Sequence, residues 1–262
     1  MFFSRCLKYL NYFLTARNRK GYGIHSPFVF DLVSRIFRNK TNTDIVLSIE
    51  SIRKKNKSDM RTLEVLDLGA GSVKMNKSLR KVSDIAGISA VPEKYGVLLS
   101  NMAAEFGKPD IIEFGTSLGF SAMYMACGSP RSVVYTMEGC PATSEIAREN
   151  FREAGIENIR LLTGSFEDLI PELRKKSVSP GLVFIDGNHR KEPVKAYFRQ
   201  MAEMADKNSV IVIDDIHQSE EMEEAWTEIK EYEKVSFTVD IYRMGLVFFR
   251  EGMNHFNYVI RY

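Results

Sequence analysis

The order of apolar segments predicts an α/β fold: a doubly wound, mostly parallel seven-stranded sheet ending in an antiparallel hairpin, with a helical N-terminal cap. Three observations predict it. From Asp110 onward, continuous β-branched apolar runs at 110–114, 132–137, 158–163, 182–185 and 209–213 alternate with helical patterns. Unbroken apolar runs of this kind mark parallel strands buried on both faces. The first run enters a turn bracketed by Gly115 and Gly119 and leaves it into a helix from Phe120; glycine permits a tight turn and a close approach of backbone N–H groups to a ligand. The last two runs, 235–241 and 245–250, are joined by only three or four residues. A parallel crossover needs about a dozen, so these two strands must pair antiparallel.

Residues 1–105 read as the cap and 106–262 as the main domain. In the cap, Phe3, Leu7, Leu10 and Leu14 share one face of an amphipathic helix. Ser26-Pro27 starts a second helix, with Val29, Leu32, Val33 and Ile36 on one face. Residues 40–62 are polar and read as a mobile helix–loop, and Leu99, Met102, Ala103 and Phe106 mark a last helix stopped by Gly107 and Pro109. In the domain, Ala147, Phe151 and Ala154 share a face before Gly155, a helix stop. Val194, Phe198, Met201 and Ala205 define the next helix, and Met222, Ala225, Trp226 and Ile229 the last, where Trp226 reads as core packing.

A chain of 262 residues can bury a large core in one domain or one domain with an appendage. Its 44% hydrophobic and 27% charged content is that of a soluble globular protein. Cys6, Cys127 and Cys140 form neither a closed disulfide set nor a zinc spacing, which points to a reduced, cytoplasmic setting. No apolar run approaches the roughly 18 residues of a spanning helix. Arg5, Lys8 and Asn11 interrupt any signal-peptide core, so the N-terminus reads as retained. Net charge is +2, but residues 1–40 hold eight Lys/Arg against Asp31, leaving −5 for the rest. That asymmetry suits a membrane or nucleic-acid surface, or a basic helix packed on its own protein; the last is favoured.

Ligands of open parallel sheets bind outside the carboxyl ends of the strands. Glu113 closes the first strand and could meet a hydrophilic, partly cationic ligand. Glu138 closes the second, 19 residues past Gly119, about where a carboxylate meets ribose hydroxyls. The third is followed by Gly164-Ser165-Phe166-Glu167-Asp168, a polar turn with one aromatic suited to covering an adenine. The fourth ends in Phe184-Ile185-Asp186-Gly187-Asn188-His189 and the fifth in Val212-Ile213-Asp214-Asp215-Ile216-His217. Any one acid could simply cap the next helix. Five such ends on one rim indicate a site.

At these residues the chain resembles the class I S-adenosylmethionine-dependent methyltransferases, and within them the small-molecule O-methyltransferase branch that includes catechol O-methyltransferase. The resemblance covers about residues 93–215 and rests on E-F-G-T-S-L-G-F-S-A, Y-T-M-E-G-C-P, T-G-S-F-E-D-L-I-P-E-L and the segment Pro92 to Gly96. It implies methyl transfer from S-adenosylmethionine to an oxygen of a small-molecule acceptor. It also implies a cofactor-binding set: Glu113, Gly115, Thr116, Ser117 and Gly119 around the turn beside the methionine part, and Ser121 at the carboxylate end. Glu138 with Gly139 would bind the ribose, Gly164, Ser165 and Phe166 would line the adenine, and Asp186 completes the set. In that branch an Asp and an Asp-Asn pair hold a divalent ion. Here the counterparts are Asp186 and Asp214-Asp215, with Mg2+ the ion implied; the extra carboxylate still suits a hard cation. The branch's lysine base is replaced by His189, whose unperturbed pKa of about 6.5 suits removal of a hydroxyl proton, so His189 and Asp186 are the catalytic candidates. The other reading is a hydrogen-bonded turn.

Val65 to Ser72 also resembles a first methyltransferase motif, but Lys and Arg follow it and no strand–helix series does before residue 110, so it reads as a loop of the cap. His25 could reach a substrate, while Ser26 reads as a helix N-cap. Asn/Asp-Pro-Pro-aromatic motifs are absent, and no nucleic acid is expected. Peripheral membrane contact through the basic N-terminal helix and a homodimer both stay open. Two alternatives remain: a nicotinamide-dependent oxidoreductase, which would want a tighter G-x-G-x-x-G, and a non-catalytic cofactor-binding or membrane-surface protein.

Overall fold

The computed structural model describes residues 12–14, 16, 24–39, 41–67, 76–88, 90–253 and 255–262. In chain order the elements are α1 (Pro27–Ser34), α2 (Thr43–Lys57), β1 (Thr62–Asp67), β2 (Asn76–Lys81), α3 (Val82–Ile88), α4 (Glu93–Phe106), β3 (Asp110–Phe114), α5 (Phe120–Gly128), β4 (Val133–Glu138) and α6 (Pro141–Glu153). They continue with β5 (Ile159–Thr163), α7 (Phe166–Lys175), β6 (Pro180–Ile185), α8 (Lys191–Met204), β7 (Val210–Asp214), α9 (Glu220–Lys230), β8 (Phe237–Asp240), β9 (Met244–Phe248) and β10 (Phe256–Val259).

The main sheet has eight strands in the order β10-β8-β9-β7-β6-β3-β4-β5. The expected α/β class, parallel strands and antiparallel β8–β9 hairpin are all present. The expected count of seven is one short, because β10 pairs parallel to β8. All six residues of β6 and all five of β7 are buried, as strands covered on both faces must be. Among the described residues no helix is long and apolar enough to cross a membrane.

The chain divides into two compact units, residues 40–182 and residues 1–39 with 183–262; neither boundary coincides with the expected division at 105/106. In the 40–182 unit the expected helix–loop is a regular helix, α2, capped by the Asn42 side chain. The expected loop from Val65 begins instead inside β1, which forms an antiparallel hairpin with β2; Leu68 to Ser72 lies outside the described residues. Leu99, Met102, Ile111, Ile112, Phe114 and Met123 build the core. A Cβ on Gly128 would come within 2.1 Å of the Ser100 carbonyl, so a residue without a side chain is required where α5 passes α4.

In the other unit Ser26 caps α1 as expected, its side chain accepting the Val29 N–H at 3.4 Å. Val29, Leu32 and Val33 are buried, each contributing about 1.5–3 kcal/mol as an upper estimate. Phe28 meets Phe237 and Phe248 edge-on at 5.8 and 5.6 Å. Trp226 is core, with its ring filling the space a Gly245 Cβ would take. The expected N-terminal amphipathic face at Phe3, Leu7 and Leu10 lies outside the described residues, and Leu14 is exposed.

Candidate active site

In the 40–182 unit the ends of β3, β4 and β5 carry the expected cofactor residues. The backbone dictates the turn after β3. Gly115 and Gly119 adopt φ of 91° and 86°, and Ser117 joins them at 49°. Left-handed backbone is cheap for glycine and costly for serine, so Ser117 is held there by partners. The partner is Glu138: its Oε2 accepts the Ser117 N–H at 2.7 Å and its Oε1 accepts the Cys140 N–H at 2.9 Å. Burial pushes the Glu138 carboxyl up, and the Cys140 and Ser117 N–H groups work against that rise. Gly139 continues this turn, and the Gly164 N–H donates to the Glu138 carbonyl at 3.0 Å, tying the β5 turn to the β4 end.

Ser165 caps α7, accepting the Asp168 N–H at 3.2 Å. Half-buried Phe166 stands edge-on to Phe114 with ring centroids 5.3 Å apart. Ser121 is buried in the first turn of α5. Two expected cofactor residues face inward instead. Glu113 is fully buried inside β3, which runs one residue past it, and accepts from the Thr136 hydroxyl; Thr116 shares a hydrogen bond with the same Thr136. Their side chains knit β3 to β4, as cross-strand neighbours do.

The sequence reading missed the role of α2. Asn56 and Asn150 exchange amide hydrogen bonds at 2.9 and 3.2 Å, and the Asn150 amide donates to the Leu118 carbonyl at 2.9 Å. One turn earlier in α2, the Arg53 guanidinium lies 4.4 Å from the centroid of Phe120, the first residue of α5. Its signal in the sequence was a basic residue with apolar neighbours at Ile49 and Ile52, which shows a buried cation but not its partner.

In the other unit, the ends of β6 and β7 and the β8–β9 turn hold a charged cluster. Asn188, Asp215 and Tyr242 take left-handed φ of 55°, 54° and 71° there. His189 Nε2 lies 3.3 Å from Asp186 Oδ1. Burial works against the charge of His189, but the hydrogen bond and charge of Asp186, with the charges of Asp215 and Asp214, outweigh it and raise the imidazole above its ordinary value. Asp186 is raised by burial, with His189 opposing. His217 is gripped between Asp240 at 2.8 Å and Glu223 at 3.3 Å and stacks on Tyr242.

Asp214 bears on the metal question. It is fully buried and accepts from Arg243 Nε at 3.0 Å and Nη2 at 2.7 Å. Arg243 Nη2 also stands 3.8 Å from Asp215. Burial, then the charge of Asp186, raises Asp214 to about 8 against the pull of Arg243. The expected ligand set of Asp186, Asp214 and Asp215 therefore does not fit a divalent ion as arranged, because the Arg243 cation already stands against Asp214 and Asp215 and would repel a second cation. Among the described residues no group of three His, Cys, Asp or Glu is disposed to hold a metal. Arg243 was hidden in the sequence because only the hairpin register, with Asp214 opposite Met244, brings it to this end.

A family model described as a methyltransferase domain matches residues 112–216. Residues 112–216 are thus similar to a methyltransferase domain. The match begins inside β3 and runs past Asp214, so it takes in the glycine turn, Glu138 and the β6 and β7 ends. Over 129 residues the chain is 33% identical to the catechol O-methyltransferase of Mycobacterium tuberculosis, covering 48% of this chain and 57% of that protein. Over 132 residues it is 29% identical to the catechol O-methyltransferase of Niastella koreensis, covering 49% and 58%. The chain thus spans a little over half the length of these curated relatives. The structure of the O-methyltransferase from Bacillus cereus in complex with SAH matches at a TM-score of 0.57 and 18% identity, over 84% of this chain and 97% of that one. That likeness is one of fold.

Proposed function

We propose that the chain transfers the methyl group of S-adenosylmethionine to an oxygen of a small molecule. The observation that supports it most is Glu138: a carboxylate fixed by two N–H groups at the end of β4, beside a glycine turn whose shape it maintains. The two relatives named catechol O-methyltransferase support oxygen as the acceptor atom. S-adenosylmethionine supplies an electrophilic methyl on a sulfonium. The protein's task is to hold donor and acceptor in line at near-attack distance. Glu138 would bind the ribose hydroxyls, Phe166 would cover the adenine, and the N-terminal end of α5 at Ser121 would face the carboxylate end. Residues 1–105 are assigned acceptor recognition in this reading.

His189 would take the acceptor's proton. With Nε2–H donating to Asp186, Nδ1 carries the lone pair that accepts it, and Asp186 stabilises the imidazolium that forms. Arg243 supplies on this rim the positive charge that a divalent ion was expected to supply, and no step here passes through a metal. Calorimetry with SAH and with NAD tests the cofactor assignment: binding of SAH alone supports it, and binding of NAD alone overturns it. The proton step has its own test. Because the neighbouring carboxylates raise His189, methylation of an accepted phenol should rise with pH through a value above about 6.5. His189→Asn should remove that limb of the profile, and a variant that keeps the limb would show another base at work.

A further inference from the structure

Arg53 has an orphaned donor. The residue is only 6% exposed, its Nε is 2.9 Å from Glu50 Oε1, and its buried Nη2 has no hydrogen-bond partner among the described residues. A buried guanidinium nitrogen without an acceptor is costly unless something arrives to fill it. The position says what would arrive. The guanidinium lies over Phe120, which opens α5 directly after Gly119 and precedes Ser121. The positive end of that helix and the planar cation together favour an anion with two oxygens in one plane. The helix carrying Arg53 is locked to the turn by Asn56 and Asn150, whose amide holds the Leu118 carbonyl. Glu50 is itself fixed by the Tyr124 hydroxyl at 3.0 Å, so it orients Arg53 from behind.

We propose that Arg53 binds the amino-acid carboxylate of the methyl donor, so that α2, outside the matched methyltransferase domain, completes the cofactor site. This rests on the methyl-transfer reading. The carboxylate is the one anionic group of S-adenosylmethionine, and it fits the acceptor that Arg53 lacks. Arg53→Met keeps an apolar stem against Phe120 and deletes the charge, while Arg53→Lys keeps a charge without the planar fork.

The test is calorimetric binding of two ligands, SAH and 5′-methylthioadenosine, which keeps adenosine and sulfur but has no amino-acid part. The expected result is a Kd for SAH raised about 10- to 100-fold in Arg53→Met, an intermediate rise in Arg53→Lys, and a Kd for 5′-methylthioadenosine changed less than about twofold in either. Retained binding of 5′-methylthioadenosine also proves each variant folded. Equal weakening of both ligands would make Arg53 a support for the turn and overturn the proposal. Unchanged SAH binding in Arg53→Met overturns it while leaving the methyl-transfer reading intact. Wild-type protein that binds neither ligand overturns both.

Discussion

Arg243→Met should destabilise the chain by about 3–5 kcal/mol at alkaline pH, the cost of leaving one member of a buried ion pair uncompensated. Asp214 is fully buried and takes two hydrogen bonds from this guanidinium, and methionine returns neither. The loss should depend on pH. Folded Asp214 titrates near 8 against 3.8 unfolded, so its protonated contribution is full below the unfolded value and is lost as pH rises through the folded one. Without Arg243 the folded value climbs further. The penalty should therefore be flat below about pH 8, where Asp214 is neutral in both folded proteins, and grow above it, because Arg243 can compensate the carboxylate that then ionises and methionine cannot. Urea unfolding at about pH 5 and about pH 9 measures the difference. Adding Asp214→Asn should recover most of the alkaline loss. A loss equal at both pH values, or untouched by that second change, would mean that Arg243 acts through packing instead of charge. Manganese binding offers an independent check: freeing Asp214 beside Asp186 and Asp215 should let the variant bind Mn2+ more tightly than the wild type does.

What the sequence could reveal follows from which contacts are local. β6 and β7 were legible because strands buried on both faces must be unbroken apolar runs. The turn after β3 was legible because Gly115 and Gly119 are spaced for left-handed backbone on either side of a short loop. The β1–β2 hairpin was not. β2 reads Asn76-Lys77-Ser78-Leu79-Arg80-Lys81, and its one large apolar residue, Leu79, is 78% exposed, so no buried face shows in the pattern. β10 escaped for a similar reason, since three of its four residues are exposed. The candidate site shows the same division. Glu138 and Asp186 announce themselves as strand-end acids. Glu113 looked alike but is one residue inside its strand, where the pleat turns it into the core against Thr136. Arg243 reaches Asp214 across 29 residues, and Asn56 reaches Asn150 across 94, through packing that no local motif encodes.

Glu138→Ala should weaken SAH binding by on the order of 2–3 kcal/mol, about 30- to 150-fold in Kd, through loss of charge-assisted hydrogen bonds to the ribose. A second route to the same loss has to be separated, because Glu138 also receives the N–H of Ser117, whose left-handed backbone at φ 49° depends on that bond. Alanine could spoil the site by releasing the turn. The two routes differ in which ligand atoms report them. If Glu138 grips the ribose, wild-type protein should lose a similar factor when the ligand lacks its ribose hydroxyls, and Glu138→Ala should be nearly indifferent to their removal. That is a double-mutant cycle with one mutation in the ligand, and its coupling energy isolates the carboxylate–hydroxyl contact from the state of the turn. Deoxygenation should also separate this site from Arg53, because SAH and 5′-methylthioadenosine share the ribose and both should weaken in Glu138→Ala. Additive losses in the cycle, with the variant still penalised by deoxygenation, would assign Glu138 to shaping the Gly115–Gly119 turn and send the search for the ribose partner elsewhere on the rim.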